Sequence, residues 1–296
     1  MLHGLRRFAA FGSAAVVAAG ICLPLATGSA AAIAPKAHKF NDSAALAFLR
    51  STLRDVKIGS PIRGLHEVTT GGIRTTAVTS TNWSGYADLS SSGSTYRTVR
   101  AQWKQPKVTC PANGSGTSLV AFWVGIDGFS SKTVEQDGTI AECLGKILLG
   151  YADWWEMYPT NSVQIVNTSV KPGDTIIASV VDKGGTYSLR VTDKTNPAES
   201  FSTSQSCGTT ACANSSAEWV AEAPCCSAPN QVYPLPQFAT WRVIGAKTTS
   251  GSTVGTISKF TYDSITMVNA SKAILAKPSA LNATGSSFGI KWHASS

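Results

Sequence analysis

Residues 171–191 read KPGDTIIASVVDKGGTYSLRV, and this stretch decides the fold class. It contains two short runs rich in β-branched and apolar residues, Thr175–Val181 and Thr186–Val191. The turn sequences Lys-Pro-Gly-Asp and Lys-Gly-Gly precede them. Short runs bounded by such turns are typical of antiparallel strands. The stretch therefore predicts a β-hairpin within an all-β protein.

The same pattern continues on both sides of this hairpin. Further strand-like segments are predicted at Thr95–Val108, Leu119–Ile126, Ile147–Tyr158, Val163–Val170, Glu199–Thr203, Ala217–Ala221, Phe238–Ile244 and Ser258–Thr266. Many short strands with no helical alternation favour an antiparallel β-sandwich. About 220 residues is a normal size for one all-β domain, so we expect residues 78–296 to form it.

The first 77 residues have a different character. Arg6 and Arg7 precede an apolar stretch that ends in small residues, which is the layout of a secretory signal peptide, and we place it at residues 1–34. Residues 43–56 (SAALAFLRSTLRDV) have apolar side chains at helical spacing and predict an amphipathic helix. We expect residues 35–77 to be a helical pro-segment, with an ordinary N-terminal helix of the domain as the alternative. The mature protein would then be secreted and free of the membrane.

The net charge of +8 is concentrated in this leader. Residues 1–77 hold nine Lys/Arg against three Asp/Glu, whereas residues 78–296 hold sixteen against fourteen. A nucleic-acid-binding protein carries a basic patch in its folded part, so we expect no nucleic-acid partner. The asymmetry also suggests that the basic pro-segment covers an acidic cleft, and that acidification releases it by protonating the cleft carboxylates.

Cysteine usage indicates an oxidising compartment. Outside the predicted signal peptide the cysteines are Cys110, Cys143, Cys207, Cys212, Cys225 and Cys226. An even number in an exported chain predicts disulfides, with 15 possible pairings for six cysteines. No Cys-x-x-Cys pair stands near a pair of histidines, so we expect no metal site. Because a bridge between neighbours is strained, we expect Cys225 and Cys226 to bond to different partners.

The scarcity of histidine restricts the chemistry. Only His293 remains in the predicted body, three residues from the end. Serine and cysteine nucleophiles usually need a positioned histidine, and a terminal one is a poor candidate. The chain has no His-Glu-x-x-His run and no Asp-Thr-Gly or Asp-Ser-Gly pair. A hydrolase with this sequence must therefore work with carboxylates and amides.

Two predicted strands carry glutamates that are candidates for a catalytic site. The run AEWVAE places Glu218 and Glu222 on one face of a predicted strand. The run DWWEMY places Glu156 between Trp154 and Tyr158 on one face. An acid between bulky aromatics on a strand is typical of a cleft lining, where burial raises a carboxyl pKa. A sheet face with an incidental glutamate is the alternative.

Four blocks, taken together and in order, resemble the glutamic peptidases, also called eqolisins. They are NWSG at 82–85, FWVGIDG at 122–128 with VEQ shortly after it, WWEMYP at 154–159 and AEWVAE at 217–222. These are similar to the family's Trp-Gly strand, its Trp-Val-Gly-Ile-Asp-Gly run followed by the catalytic glutamine, its Trp-Tyr-Glu-Trp-Tyr-Pro and its Ala-Glu-(Phe/Trp)-Ile-x-Glu. The glutamine here is followed by Asp-Gly-Thr instead of the usual Thr-Gly.

The resemblance implies a concanavalin-like or jelly-roll sandwich of two curved sheets, with the site on the concave face. It implies an endopeptidase that acts on protein or peptide substrates at acid pH, without a cofactor and without a covalent intermediate. Glu222 would activate a water as general base, and Gln136 would stabilise the oxyanion. The substrate-binding candidates are Trp154, Glu156, Tyr158, Trp83 and Asp127, although Asp127 has the alternative of closing a turn. We expect a monomer.

Two other functions fit a sandwich of this kind. A glycoside hydrolase would pair Glu222 with Glu156, the two carboxyl groups that such chemistry requires, and would stack a sugar on Trp154. It would leave Gln136 without a role. A carbohydrate-binding module would need neither catalytic residue nor pro-segment.

Overall fold

The protein is described by a computed structural model that covers residues 75–90, 95–225 and 232–296, together with 51, 56, 58, 63–65 and 93. The predicted signal peptide lies outside the described residues, as does most of the predicted pro-segment. Within the predicted helix, Ser51 has helical backbone and Val56 does not. No helix in the described part is both long and apolar enough to cross a membrane. The division into leader, pro-segment and domain stays a prediction.

Most of the described chain is extended. The strands are β1 (Arg63–Leu65), β2 (Thr75–Ser80), β3 (Trp83–Leu89), β4 (Tyr96–Lys104), β5 (Val108–Thr109), β6 (Thr117–Asp127), β7 (Val134–Leu144), β8 (Ile147–Tyr158), β9 (Asn161–Ile165), β10 (Thr175–Asp182), β11 (Thr186–Asp193), β12 (Phe201–Ser206), β13 (Ser216–Glu222), β14 (Gln237–Phe238), β15 (Trp241–Ser250), β16 (Thr253–Gly255), β17 (Thr261–Val268), β18 (Ile274–Pro278) and β19 (Phe288–Trp292). Pro197–Glu199 and Ile257–Lys259 form short 3-10 helices. The prediction of an all-β fold is confirmed.

The longer strands form two sheets. The first runs in the order β9-β8-β7-β6-β13-β3-β17, all antiparallel, and β17 continues to β18 and β19. Strand β2 pairs in parallel with β17, and β1 pairs with β2. The second sheet runs in the order β12-β11-β10-β4-β15-β16. Strand β15 joins the two because it also pairs with β19. This arrangement confirms the predicted sandwich.

The inner faces of the two sheets share one hydrophobic core. Phe122 and Val124 of β6 pack in the same buried cluster as Val180 of β10 and Leu189 of β11. All four side chains are fully buried, and burying each one contributes about 1.5–3 kcal/mol. The alternate residues of β6, β8 and β13 therefore point away from the second sheet, on what we call the outer face of the first sheet.

The outer face carries a second apolar cluster, which contains three buried tryptophans, Trp83, Trp123 and Trp154. Two residues from the predicted pro-segment, Val56 and Ile58, belong to the same cluster. They are 1% and 0% exposed. The outer face is therefore covered, at least in part, by chain from the N-terminal side of the body.

Strand boundaries differ from the sequence expectations at several places, of which three are the clearest. The segment predicted from Val163 is a strand only to Ile165, and the segment predicted from Glu199 starts as a 3-10 helix whose first turn contains a proline. Strand β7 was not predicted at all. Its sequence, VEQDGTIAECL, is rich in acidic and small residues, yet every position except the last is buried.

Two disulfides are present in the described part. Cys110 bonds to Cys143 and Cys207 to Cys212, with Cα–Cα distances of 5.6 and 5.7 Å. The first ties the segment after β5 to β7. These bridges confirm the prediction of disulfide bonding. They also occupy the cysteines that the adjacent pair at 225 and 226 would have needed, so the expectation of two different partners is wrong; residue 226 itself lies outside the described residues.

Candidate active site

Gln136 of β7 and Glu222 of β13 project from the same side of the first sheet. Gln136 pairs with Gly125 of β6, and Glu222 pairs with Ala121 of the same strand. Paired residues share a face, and so do alternate residues along a strand. Both side chains therefore lie on the outer face, separated by strand β6 and offset along it, and both are fully buried.

Two neutral donors hold the Glu222 carboxyl. Asn82 Nδ2 donates to Oε1 at 3.3 Å, and Trp123 Nε1 donates to Oε2 at 3.1 Å. An ionised carboxylate is purely an acceptor, so donors at both oxygens suit that form. Hydrogen bonds to a charged group are roughly twice as strong as neutral ones, which fixes the carboxyl in one orientation.

Ser80 fixes the Asn82 amide in turn. Its Oγ donates to Asn82 Oδ1 at 2.8 Å and accepts from the backbone N–H groups of Asn82 and Trp83 at 3.2 and 3.1 Å. Because the amide oxygen already accepts from Ser80, the amide nitrogen faces Glu222. The turn between β2 and β3 thus orients one of the two donors to the acid.

The Gln136 amide has two acceptors. Its Nε2 donates to Glu156 Oε2 at 2.8 Å and to the backbone oxygen of Ile58 at 2.6 Å. Glu156 lies directly opposite Gln136 on β8 and is 1% exposed. An ionised carboxyl can only accept, so Glu156 holds the NH₂ end of the amide towards itself and leaves the second hydrogen for a carbonyl.

Trp123 fills the space between the two candidate catalytic residues. A Cβ added at Gly125 would lie 2.8 Å from Trp123 Cζ3 and 3.2 Å from Gln136 Cβ. The other side of the same indole reaches Glu222 through Nε1. At Gly138 a Cβ would collide with the backbone oxygen of Phe122 and with Trp123. Glycine is therefore required at both positions for β6, β7 and the indole to approach one another.

Most of the aromatic residues predicted to line the cleft lie on the outer face. Trp83 packs edge-on against Trp123 with ring centroids 4.9 Å apart. Trp154 is fully buried on the same face. Tyr158 is half-buried at the end of β8, two residues beyond Glu156. Within the described residues the indole nitrogens of Trp83 and Trp154 have no hydrogen-bond partner.

Asp127 occupies a different setting. It ends β6 with a φ of 72°. Its carboxyl accepts from Thr133 Oγ1 at 3.1 Å, from Asn214 N at 2.7 Å, and from the N–H and hydroxyl of Ser215 at 2.7 and 2.8 Å. These bonds tie the β6–β7 turn to the loop before β13. This geometry fits the alternative of a turn-closing residue, and a role in substrate binding stays a prediction.

Several other acids are buried with strongly perturbed ionisation. Burial raises the pKa of Glu135 and Asp137, which sit on the inner face of β7, well above the usual range. Burial also raises the pKa of Asp153 on β8 to about 8. On the outer face, burial raises the pKa of Glu218 well above its usual range. These carboxyls are neutral at acid pH.

One grouping of ligand-type side chains includes a disulfide. Among the described residues, the grouping of three ligand-type side chains consists of Glu135, Cys207 and Cys212. The two sulfurs form a disulfide and so lack the thiolate that binds a metal.

Three residues of this site were not among the sequence-based candidates: Trp123, Asn82 and Ser80. Trp123 and Asn82 stand inside the blocks FWVGIDG and NWSG, so the signal was present in the sequence. Ser80 belongs to no block, and only its contacts identify it.

The chain is similar to proteins of one known family. A family model described as the peptidase A4 family matches residues 81–288. Among solved structures, scytalido-glutamic peptidase with a peptide-based transition state analogue is 21% identical, with a TM-score of 0.60, and the match covers 72% of this chain and 98% of that one. SCP-B, a member of the eqolisin family in complex with the tripeptide Ala-Ile-His, is 19% identical, with a TM-score of 0.57 and the same coverage. At these identities the likeness shows a shared fold. No curated protein matches the chain.

Proposed function

The chain belongs to the peptidase A4 family and is a hydrolase of the glutamic endopeptidase type; on that premise, we propose that Glu222 and Gln136 are its catalytic pair. One observation carries the proposal. Glu222 and Gln136 lie on the same buried face, and the Trp123 indole lies between them. The Glu222 carboxyl accepts a hydrogen bond at each oxygen, and the Gln136 NH₂ group already donates to a backbone carbonyl.

Glu222 is the proposed general base. It takes a proton from water as the water oxygen attacks the carbonyl carbon of the peptide, and it returns that proton to the leaving amine as the C–N bond breaks. Proton transfer of this kind contributes about 10²–10⁴-fold. The donors Asn82 and Trp123 are neutral, and their hydrogen bonds orient the carboxylate.

Gln136 is the proposed oxyanion stabiliser. Its Nε2 lies 2.6 Å from the Ile58 carbonyl oxygen, so the amide can reach a carbonyl presented to this face. One preorganised donor to a developing oxyanion contributes about 2.7–4 kcal/mol. Glu156 supports this role as a positioning residue, because its carboxyl accepts the other N–H and keeps the amide from turning over.

The remaining expectations are part of the proposal. We propose export through residues 1–34, a pro-segment at residues 35–77, a monomeric mature domain and action at acid pH on protein or peptide substrates. The two disulfides fit an oxidising compartment. The coverage of the outer face by Val56 and Ile58 fits a pro-segment. The acids with raised pKa favour a folded state at low pH.

The decisive test is the pH profile of proteolysis by the secreted protein, with Glu222→Gln and Gln136→Ala alongside. We expect an acid optimum, and a loss of activity of at least about 10²-fold in each variant with unchanged circular dichroism. Glu199→Gln, the same chemical change near the edge of the second sheet, is the matched control and should remain active. Full proteolysis by a folded Glu222→Gln protein, or hydrolysis of polysaccharide in place of protein, would overturn the assignment.

A further inference from the structure

Two residues of the predicted pro-segment occupy the outer face as buried side chains. Val56 and Ile58 are 1% and 0% exposed and share an apolar cluster with Trp83, Trp123 and Trp154. Both are β-branched aliphatic residues, and a single lysine separates them in the sequence.

The backbone of Ile58 forms a hydrogen bond with Gln136, one of the two proposed catalytic residues. The Ile58 carbonyl oxygen accepts from Gln136 Nε2 at 2.6 Å, while Glu156 takes the other N–H of the same nitrogen. If Gln136 stabilises the oxyanion, the carbonyl that it binds is the one that water attacks. Ile58 therefore stands where a substrate residue on the amino side of the scissile bond must stand.

The surroundings of this position favour one class of side chain. The cluster that contains Ile58 also includes Ala121, Ala152 and Ile140, all fully buried. A charged side chain placed among these apolar side chains would lose hydration, which weakens binding. An acidic one would in addition lie near the Glu156 carboxyl, which shares the Gln136 nitrogen with the Ile58 carbonyl.

We propose, on the basis of the proposed function, that Val56 and Ile58 occupy the site as a substrate does. The enzyme then prefers peptides with a branched aliphatic residue supplying the scissile carbonyl and a second one two residues before it. Hydrolysis in this register adds the water oxygen to the carbonyl carbon of Ile58, breaks its bond to the next nitrogen, and passes the proton to the new amine. The side chains of the pro-segment at these two positions are then the kind that the site prefers in a substrate.

The probe is the decapeptide STLRDVKIGS, which reproduces residues 51–60. It is added in trans to full-length protein that has been activated by acid, and the products are read by mass spectrometry. We expect either cleavage after the isoleucine or competitive inhibition of casein hydrolysis. A peptide with aspartate at both aliphatic positions should lose at least about tenfold in kcat/KM or in inhibition constant, because each apolar subsite discriminates by about that factor. A peptide with alanine in place of the lysine is the matched control and should change by less than about threefold.

The outcomes separate this inference from the proposed function. Acid proteolysis of casein with equal handling of the native and the double-aspartate peptides overturns the subsite assignment and leaves the catalytic pair intact. Cleavage mainly after the valine or the lysine overturns the register. Failure of the full-length protein to hydrolyse any protein or peptide overturns both.

Discussion

Both faces of the first sheet contain buried carboxyl groups, but the segments that cover the two faces differ. On β7, Glu135 points to the inner face and its neighbour Gln136 to the outer face. The inner face is closed by the second sheet, whereas the outer face is covered by Val56 and Ile58, which the sequence places in a removable segment. The burial of the inner face therefore comes from the second sheet, and part of the burial of the outer face comes from residues 56 and 58.

The acids differ in their surroundings, and Glu218 on the outer face resembles the inner-face acids, because burial raises its pKa too. On the inner face, loss of hydration dominates and raises the pKa of Glu135, Asp137 and Asp153. On the outer face, Glu222 receives hydrogen bonds from an amide and an indole. The same residue type thus acts as a neutral filler of the core or as a candidate reagent, according to the donors around it.

The largest expected effect concerns the inner face and pH. The pKa of Asp153 rises from 3.8 to about 8 on folding, so the folded chain holds this proton more tightly than the unfolded chain. Its contribution to stability is complete below about pH 4 and is lost as the pH rises through about 8. At about 1.4 kcal/mol per pKa unit, one such group costs on the order of 5 kcal/mol above that pH. Urea unfolding across this range should show stability falling steadily.

Asp153→Asn sharpens this expectation. An amide cannot ionise, so the variant should lose less stability than the wild type between about pH 4 and about pH 8. A wild-type protein equally stable at both ends of the range would contradict the account of the inner face.

The second prediction exchanges the chemistry of two neighbours. Gln136→Glu puts a carboxyl next to Glu156 and, when ionised, next to the oxyanion, so kcat/KM should fall by about 10²–10³-fold. Glu135→Gln makes the reverse change one residue away, on the inner face. It should keep its activity and gain stability relative to wild type at neutral pH, because burial raises the pKa of Glu135. Equal losses of activity in the two variants would contradict the assignment of the faces.

A smaller effect is expected at Trp123. Trp123→Phe keeps an aromatic ring but removes the Nε1 donor to Glu222. A hydrogen bond to a charged group contributes about 1.5–3 kcal/mol, so kcat/KM should fall by about 10–100-fold. Trp103→Phe is the control: its indole lies in the inner core and has no hydrogen-bond partner among the described residues. That variant should lower the unfolding midpoint and spare kcat/KM.

The smallest effect is expected at Ser80. Ser80→Ala removes the hydroxyl that orients the Asn82 amide, so kcat should fall by a few-fold, equivalent to about 1 kcal/mol. KM should change little, because no substrate contact is removed. Ser118→Ala deletes a buried hydroxyl that has no hydrogen-bond partner in the described part and serves as the matched control. A larger change in kcat for Ser118→Ala than for Ser80→Ala would reject the role of Ser80.

The sequence predicted strand positions most accurately where the pattern of apolar and polar residues had a single physical cause. The hairpin of β10 and β11 follows the predicted segments to within two residues at each end, because alternation between core and solvent leaves a direct trace in the chain. The sequence of strand β7 shows no such alternation. Its buried positions include Glu135, Asp137 and Glu142, and acids at that density normally indicate a loop.

The all-β class, the bonding of cysteines into disulfides and the family could be predicted from the sequence, because turn residues, cysteine number and motif order are local properties of the chain. The sequence also named Gln136, Glu156 and Glu222. The folded structure was needed to show which face each side chain takes, which donors bind Glu222, and that the Ile58 carbonyl lies at the Gln136 amide. Those contacts join residues up to 140 positions apart, and their geometry depends on strand register, which no local pattern specifies.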